Sequence, residues 1–222
     1  MNNKFTTYFL YGIGEIVLVV IGILIAVSID DWNENRKQTQ LDIEFLQRLE
    51  SELEKDLADL SVMESNLFKA VKYKRVFERF YSGKPVDQDS LASIFAAQYS
   101  ISPGFVANTA TIEELKTSSL RLASSQRLRR QIIDLNMRYL ELQNVIRISL
   151  DRSQKLLDYV GSKVKKIDQI SAKERSILFQ DRFFANQIIT NYLQTRLETL
   201  KEAHESCRIT LQQVREKIKT LT

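Results

Sequence analysis

One cysteine and one histidine are all that 222 residues offer. Cys207 alone excludes an internal disulfide framework and a multi-cysteine metal site. His204 alone leaves no second imidazole for a metal centre and little scope for His-driven acid–base chemistry. Glycine and proline are also scarce, at six and two. Gly12, Gly14 and Gly22 fall near the amino end and Pro85 and Pro103 share one short stretch, so the body keeps only Gly83, Gly104 and Gly161. These are too few turn-formers for a many-stranded sheet or barrel, and the expected class is all-α. A glycine-rich phosphate loop, a nucleophile elbow and an HExxH pair are missing as well. The sequence therefore points to no catalytic residue, no metal ligand set and no cofactor, and the expectation is a protein that is not an enzyme.

What is present begins with a long apolar run. Residues 9–29 are apolar apart from Tyr11, three glycines, Glu15 and Ser28. About 20 helical residues cover the roughly 30 Å hydrocarbon layer, so the run is long enough to span a bilayer. Tyr8 and Tyr11 before it and Trp32 after it stand where interfacial aromatic anchors belong. A cleaved signal peptide is the competing reading, with its core at residues 16–26 and Ala26-Val27-Ser28 as a small-x-small site. Lys4 is a thin basic start for a signal, and Glu15 interrupts the beginning of its core. Either way the rest of the chain is expected to be exported. The positive-inside count is close to a tie, with Lys4 and the amino terminus against Arg36 and Lys37.

Within the expected transmembrane helix, Gly12, Glu15, Val19, Gly22 and Ala26 share one face at helical spacing. Gly22 and Ala26 form a small-xxx-small pair that lets two backbones approach closely. Glu15 is costly facing lipid, so it faces a partner or a polar cavity, is protonated, or reaches the headgroups beside Lys4.

The run from Tyr11 through Gly14-Glu15-Ile16 to Ala26, followed by Ile29-Asp30-Asp31-Trp32-Asn33-Glu34, resembles the hallmark of an uncharacterised bacterial family of single-pass membrane proteins. That family carries a Gly-Glu-Ile anchor trailed by an Asn/Asp-Trp-Asn-Glu motif. Residues 111–120 are similar to its mid-chain segment, with Ser119 where the family has glycine, and its amino-terminal tail is more basic than Lys4 alone. The resemblance implies an inner-membrane protein with a periplasmic body and no established activity.

The soluble body, residues 30–222 after a tail at 1–8 and the span at 9–29, reads as three long helices at about 36–81, 126–167 and 181–221. The first carries Leu46, Leu49, Leu53, Leu57, Leu60, Leu67, Val71 and Phe77 on one stripe. In the second, Leu128, Ile132, Leu135, Tyr139, Leu142, Ile146, Ser149, Ser153, Leu156, Val160 and Val164 mostly alternate four and three, a coiled-coil rhythm. In the third, Leu193, Leu197, Leu200, His204, Cys207, Leu211, Val214, Ile218 and Leu221 form clean heptads. Ser171 and Glu174 have capping-box spacing. The expected fold is an elongated antiparallel bundle, up, down and up, with residues 82–125 as a small helical cap at the far end. Residues 30–59 hold ten acids against four bases. That pairing places them beside Lys155, Lys163, Lys165 and Lys166.

It also gathers Lys69, Lys72, Arg75 and Arg79 with Arg127 and Arg130 into a distal basic surface, for which an acidic protein, a lipid headgroup or a cell-wall polymer is a fitting anion. The alternative is an ordinary solvated face. The functional expectation is a bacterial inner-membrane scaffold or accessory subunit. Its partners would be the bilayer and a second copy or other envelope proteins, and nucleic acid is not expected. The alternatives are an envelope sensor working through Glu15 and an anion-binding envelope protein.

Overall fold

The computed structural model describes residues 3–87, 91, 104–117, 126–190 and 192–222, with the side chains of 3–13 and 168 outside that set. The described chain is helical, with no strand: α1 (Asn3–Tyr81), α2 (Ala110–Thr117), α3 (Gln126–Lys163), α4 (Ala172–Gln180), α5 (Arg182–Ile189) and α6 (Leu193–Leu221). Residues 23–82 hold neither glycine nor proline. The chain consequently makes one unbroken helix of 79 residues where a span and a separate helix from about 36 were expected. At about 1.5 Å per residue α1 reaches roughly 120 Å. Among the described residues no helix is long and apolar enough to cross a membrane.

The other two long helices are shorter than their sequence patterns. α3 ends at Lys163, just past Gly161, where a Cβ would come within 3.1 Å of the Ile167 side chain. The chain folds back tightly there, and glycine permits the approach. The expected third helix is split, with α5 ending at Ile189 and α6 opening at Leu193. Phe184 and Ile188 on α5 join Phe77 and Val160 in a local core.

Ser171 and Glu174 do form a capping box on α4. Hydrogen bonds from the Ser171 hydroxyl and from the Lys165 and Ser171 amides hold the Glu174 carboxyl down at about 2. A depressed folded-state value means the cap's contribution is complete above pH 4.5 and disappears as pH falls toward 2. Glu174→Gln should therefore flatten the acid limb of the denaturation midpoint within that window while leaving the limb above pH 5 parallel to the parent.

Interhelix contacts fix the directions. Arg215 on α6 bonds Glu50 and Glu54 on α1, and His204 bonds Ser61 and Glu64, so α6 runs antiparallel to α1. Gln131 meets Thr210, Arg138 meets Glu202 and Arg152 meets the Thr190 carbonyl, so α6 also opposes α3. α1 and α3 are therefore parallel, with Val160 beside Phe77 at the far end. This corrects the expected up, down and up order. The second long helix rises with the first, and only the third returns. Residues 104–117 descend along α1, Asn108 bonding Asp56, Thr111 bonding Glu52 and Glu114 bonding Arg48, so this part of 82–125 lies beside the bundle rather than on its end. The far end is closed instead by α4 and α5, where Phe77, Val160, Leu178, Phe179, Phe184, Ile188 and Leu91 cluster.

The main core joins Leu46, Leu49, Leu53, Leu60 and Leu67 of α1 with Leu128, Ile132, Leu135, Leu142 and Ile146 of α3. Leu197, Leu200, Leu211 and Val214 of α6 complete it. All of these lie on the stripes read from the sequence.

Candidate functional site

Three groups of side chains stand out against that frame. The first is a polar node inside the main core. Asp56, fully buried on α1, accepts hydrogen bonds from the Asn108 amide N–H at 3.0 Å and from Asn108 Nδ2 at 2.6 Å. Burial raises its pKa above the usual carboxylate value, against the lowering effect of the Asn108 donors. One turn earlier Glu52 accepts from the Thr111 amide and hydroxyl, and one turn earlier again Arg48 pairs with Glu114 at 3.0 Å. Three successive turns of α1 thus hold the returning segment in register.

Tyr139 and Cys207 complete the node. Burial, then Cys207 and Asp56, push the Tyr139 phenol upward and keep it neutral. Its hydroxyl closes no hydrogen bond among the described residues. Burial pushes the Cys207 thiol up to about 11, and its Sγ lies 3.5 Å from the Leu53 carbonyl. A protonated, fully buried thiol is a packing residue and not a nucleophile. Phe105 covers the node, its ring 5.2 Å from that of Tyr139.

The second group joins α1 to α6. His204 Nδ1 lies 2.9 Å from Glu64 Oε2, and its Nε2 lies 3.1 Å from Ser61 Oγ. The order Ser–His–Glu is that of a nucleophile relay, but the Ser61 hydroxyl donates to the Leu57 carbonyl at 2.7 Å. All the α1 members sit mid-helix, where backbone N–H groups are consumed and none can stabilise an oxyanion. The trio ties two helices together. His204 and Cys207 are divided between this tie and the core, and no three His, Cys, Asp or Glu side chains among the described residues converge as a metal shell. The third feature is Arg196 near the start of α6, 4% exposed, with Nε and Nη2 buried and without an acceptor among the described residues.

The residues singled out in the sequence fare differently. Glu15, Val19, Gly22 and Ala26 lie on the exposed amino-terminal part of α1, and nothing comes within 4 Å of a Cβ built at Gly22. Gly12 falls outside the described side chains. Trp32 is 63% exposed, with the Arg36 guanidinium 5.8 Å from its ring centre. The basic surface is not one surface. Arg127 lines a groove with Gln212, Glu216 and Lys217 near the carboxyl end of α6, and Arg130 is one turn on in α3. Lys69, Lys72, Arg75 and Arg79 lie about 20 to 30 residues further up α1 than Glu50, which pairs with Arg215 near the carboxyl end of α6, a separation of roughly 30–45 Å. The parallel course of α3 is the physical cause of the separation. It also carries Lys155, Lys163, Lys165 and Lys166 to the far end, away from the acidic stretch, whose Glu50 and Glu54 pair with Arg215 instead.

Sequence reasoning missed the polar node, although one signal was available. Positions 46, 49, 53, 56, 60, 63 and 67 alternate three and four, and an aspartate occupies the middle of that otherwise apolar series. The contacts of Asn108 and Thr111 had no local signal. No curated protein and no solved structure matches the chain. A family profile described as a family of unknown function, DUF6090, matches residues 15–196, and the chain belongs to that family.

Proposed function

We propose that this protein is a membrane-tethered helical scaffold or accessory subunit of the bacterial envelope. It is held in the inner membrane by the start of α1, carries its bundle on the periplasmic side and acts through protein–protein contacts without a reaction of its own. The observation that carries this reading is the amino-terminal part of α1. Ile16, Val17, Leu18, Val19, Val20, Ile21, Ile23, Leu24, Ile25, Val27 and Ile29 are all exposed, on the helix that forms the spine of the bundle. A contiguous apolar surface of this size on a chain in water marks a membrane or partner contact. The described stretch closes at Asp30 and Asp31, and the sequence extends it toward the amino end through residues 9–13, giving about 20 residues in all. Trp32 then sits at the headgroup level and the polar turns beyond it lead into the bundle.

The test is fractionation of cells making the full chain. Alkaline carbonate should leave the protein in the pellet and detergent should release it. Val20→Arg combined with Ile23→Arg adds about 5 kcal/mol to insertion and should shift most of the protein to the carbonate supernatant. A parent chain that stays in the supernatant after cell breakage without detergent overturns the reading. Protease added to intact spheroplasts should degrade the body, and protection would reverse the orientation.

A further inference from the structure

The core register of α1 does not stop where the bundle stops. Leu46, Leu49, Leu53, Asp56, Leu60, Met63 and Leu67 alternate three and four, and each is buried. Continued toward the amino end, the same alternation selects Asp42, Thr39, Asn35, Trp32, Ser28, Ile25 and Ile21. From 39 to 21 every seam position is uncharged, whereas Asp30, Asp31, Glu34, Arg36 and Lys37 all fall off it. Asp42 is still buried, yet residues 14–37 are exposed throughout. The seam thus runs for several turns without a helix against it. A shallow apolar groove lies along that bare portion, lined by Ile21, Leu24, Ile25, Ser28, Ile29 and Trp32. Four of these are seam positions and the other two flank them, the arrangement that receives a knob in a coiled coil.

We infer that the occupant is a second copy of this chain, running parallel, with the two α1 helices paired along residues 21–39. Charge and symmetry select it. Asp31 and Arg36 flank the seam on opposite sides, five residues apart, which is the offset at which flanking residues of two parallel helices meet. A parallel pair of identical chains therefore sets acid against base twice, while an antiparallel pair sets acid against acid and base against base. Neither side chain has an ion-pair partner within its own chain among the described residues. Asn35, on the seam itself, carries both a donor and an acceptor and is complementary to its own copy. This deepens the scaffold reading by naming its partner. It also places Ala26 on the outward side of α1, while Gly22 takes the same flanking position as Ile29 and Arg36.

Disulfide trapping of full-length protein in native membranes tests the pairing. Ser28→Cys, on the seam, should give a dimer on mild oxidation. The parent, whose Cys207 is buried, and Ala26→Cys, on the outward face, should stay monomeric. In the Ser28→Cys background, Asp31→Lys or Arg36→Glu alone should lower the dimer yield about threefold by making both flanking contacts repulsive, and the two together should restore it. A dimer stronger at Ala26→Cys, no dimer at Ser28→Cys, or a charge exchange that rescues nothing overturns the inference. Carbonate extraction of the same samples reports the tether separately, so loss of pairing with the protein still in the pellet strikes only this contact.

Discussion

Leu200→Asp should unfold the bundle. Leu200 is fully buried on α6, the helix that packs against both α1 and α3, and it belongs to the main core. The change removes a buried leucine and puts a carboxylate into the main apolar core. Truncation of the leucine alone costs about 3 kcal/mol, and the uncompensated polar group adds a similar amount. The sum is a large part of the 5–15 kcal/mol that stabilises an ordinary domain. At roughly 2–4 °C per kcal/mol for a body of this size, the thermal midpoint should fall by about 10–20 °C, or the variant should not fold at all. Met137→Asp is the control. Met137 lies on the outward face of α3, 59% exposed, and its replacement should move the midpoint by about 0.5 kcal/mol or less. A Leu200→Asp midpoint equal to the parent's would show that the α6 stripe faces solvent.

That prediction was available from sequence alone, because it depends only on periodicity. Burial on a long helix repeats with the helix, so Leu128, Ile132, Leu135, Tyr139, Leu142 and Ile146 announce one face of α3 whatever that face packs against. The capping box at Ser171 and Glu174 was legible for a similar reason, since both partners lie within one turn.

The direction of α3 was a different kind of question. Up, down and up is the shortest route through three helices of like length, and it requires residues 82–125 only to turn a corner. A chain of 44 residues is also long enough to run back down a helix of about 57 Å, so length permits either course. Opposite charges favour the antiparallel course, but an exposed pair contributes only about 0–1 kcal/mol and cannot outweigh a core. What chooses is the row of contacts from Arg48, Glu52 and Asp56 to Glu114, Thr111 and Asn108, at separations of 52 to 66 residues. No local pattern encodes a pairing at that distance. The same holds for Ser61, Glu64 and His204, where a lone histidine on a helix stripe gained its two partners from another helix. An aspartate in a leucine series was the one trace of these contacts in the sequence, and it pointed inward to a buried acceptor without saying for what donor.

Arg196→Met should raise stability, an unusual sign for a core substitution. Arg196 is 4% exposed as a residue, its Nε and Nη2 are buried with no acceptor among the described residues, and burial draws its pKa below the ordinary arginine value. An uncompensated buried cation is a net loss to the folded state, and even paired buried charges are often replaced by apolar groups with a gain of 1–4 kcal/mol. Methionine keeps the volume and flexibility of the arginine stem, so the aliphatic contacts survive. The expected gain is about 2 kcal/mol, read as a midpoint higher by roughly 4–8 °C for the purified protein in detergent. Arg196→Lys separates charge from shape. It keeps the cation and should bring no gain, because the cost of burial falls on an ammonium just as it does on a guanidinium. A lower midpoint for Arg196→Met than for the parent would mean that an acceptor does reach this guanidinium in the folded protein, since only a satisfied charge is missed when it is removed.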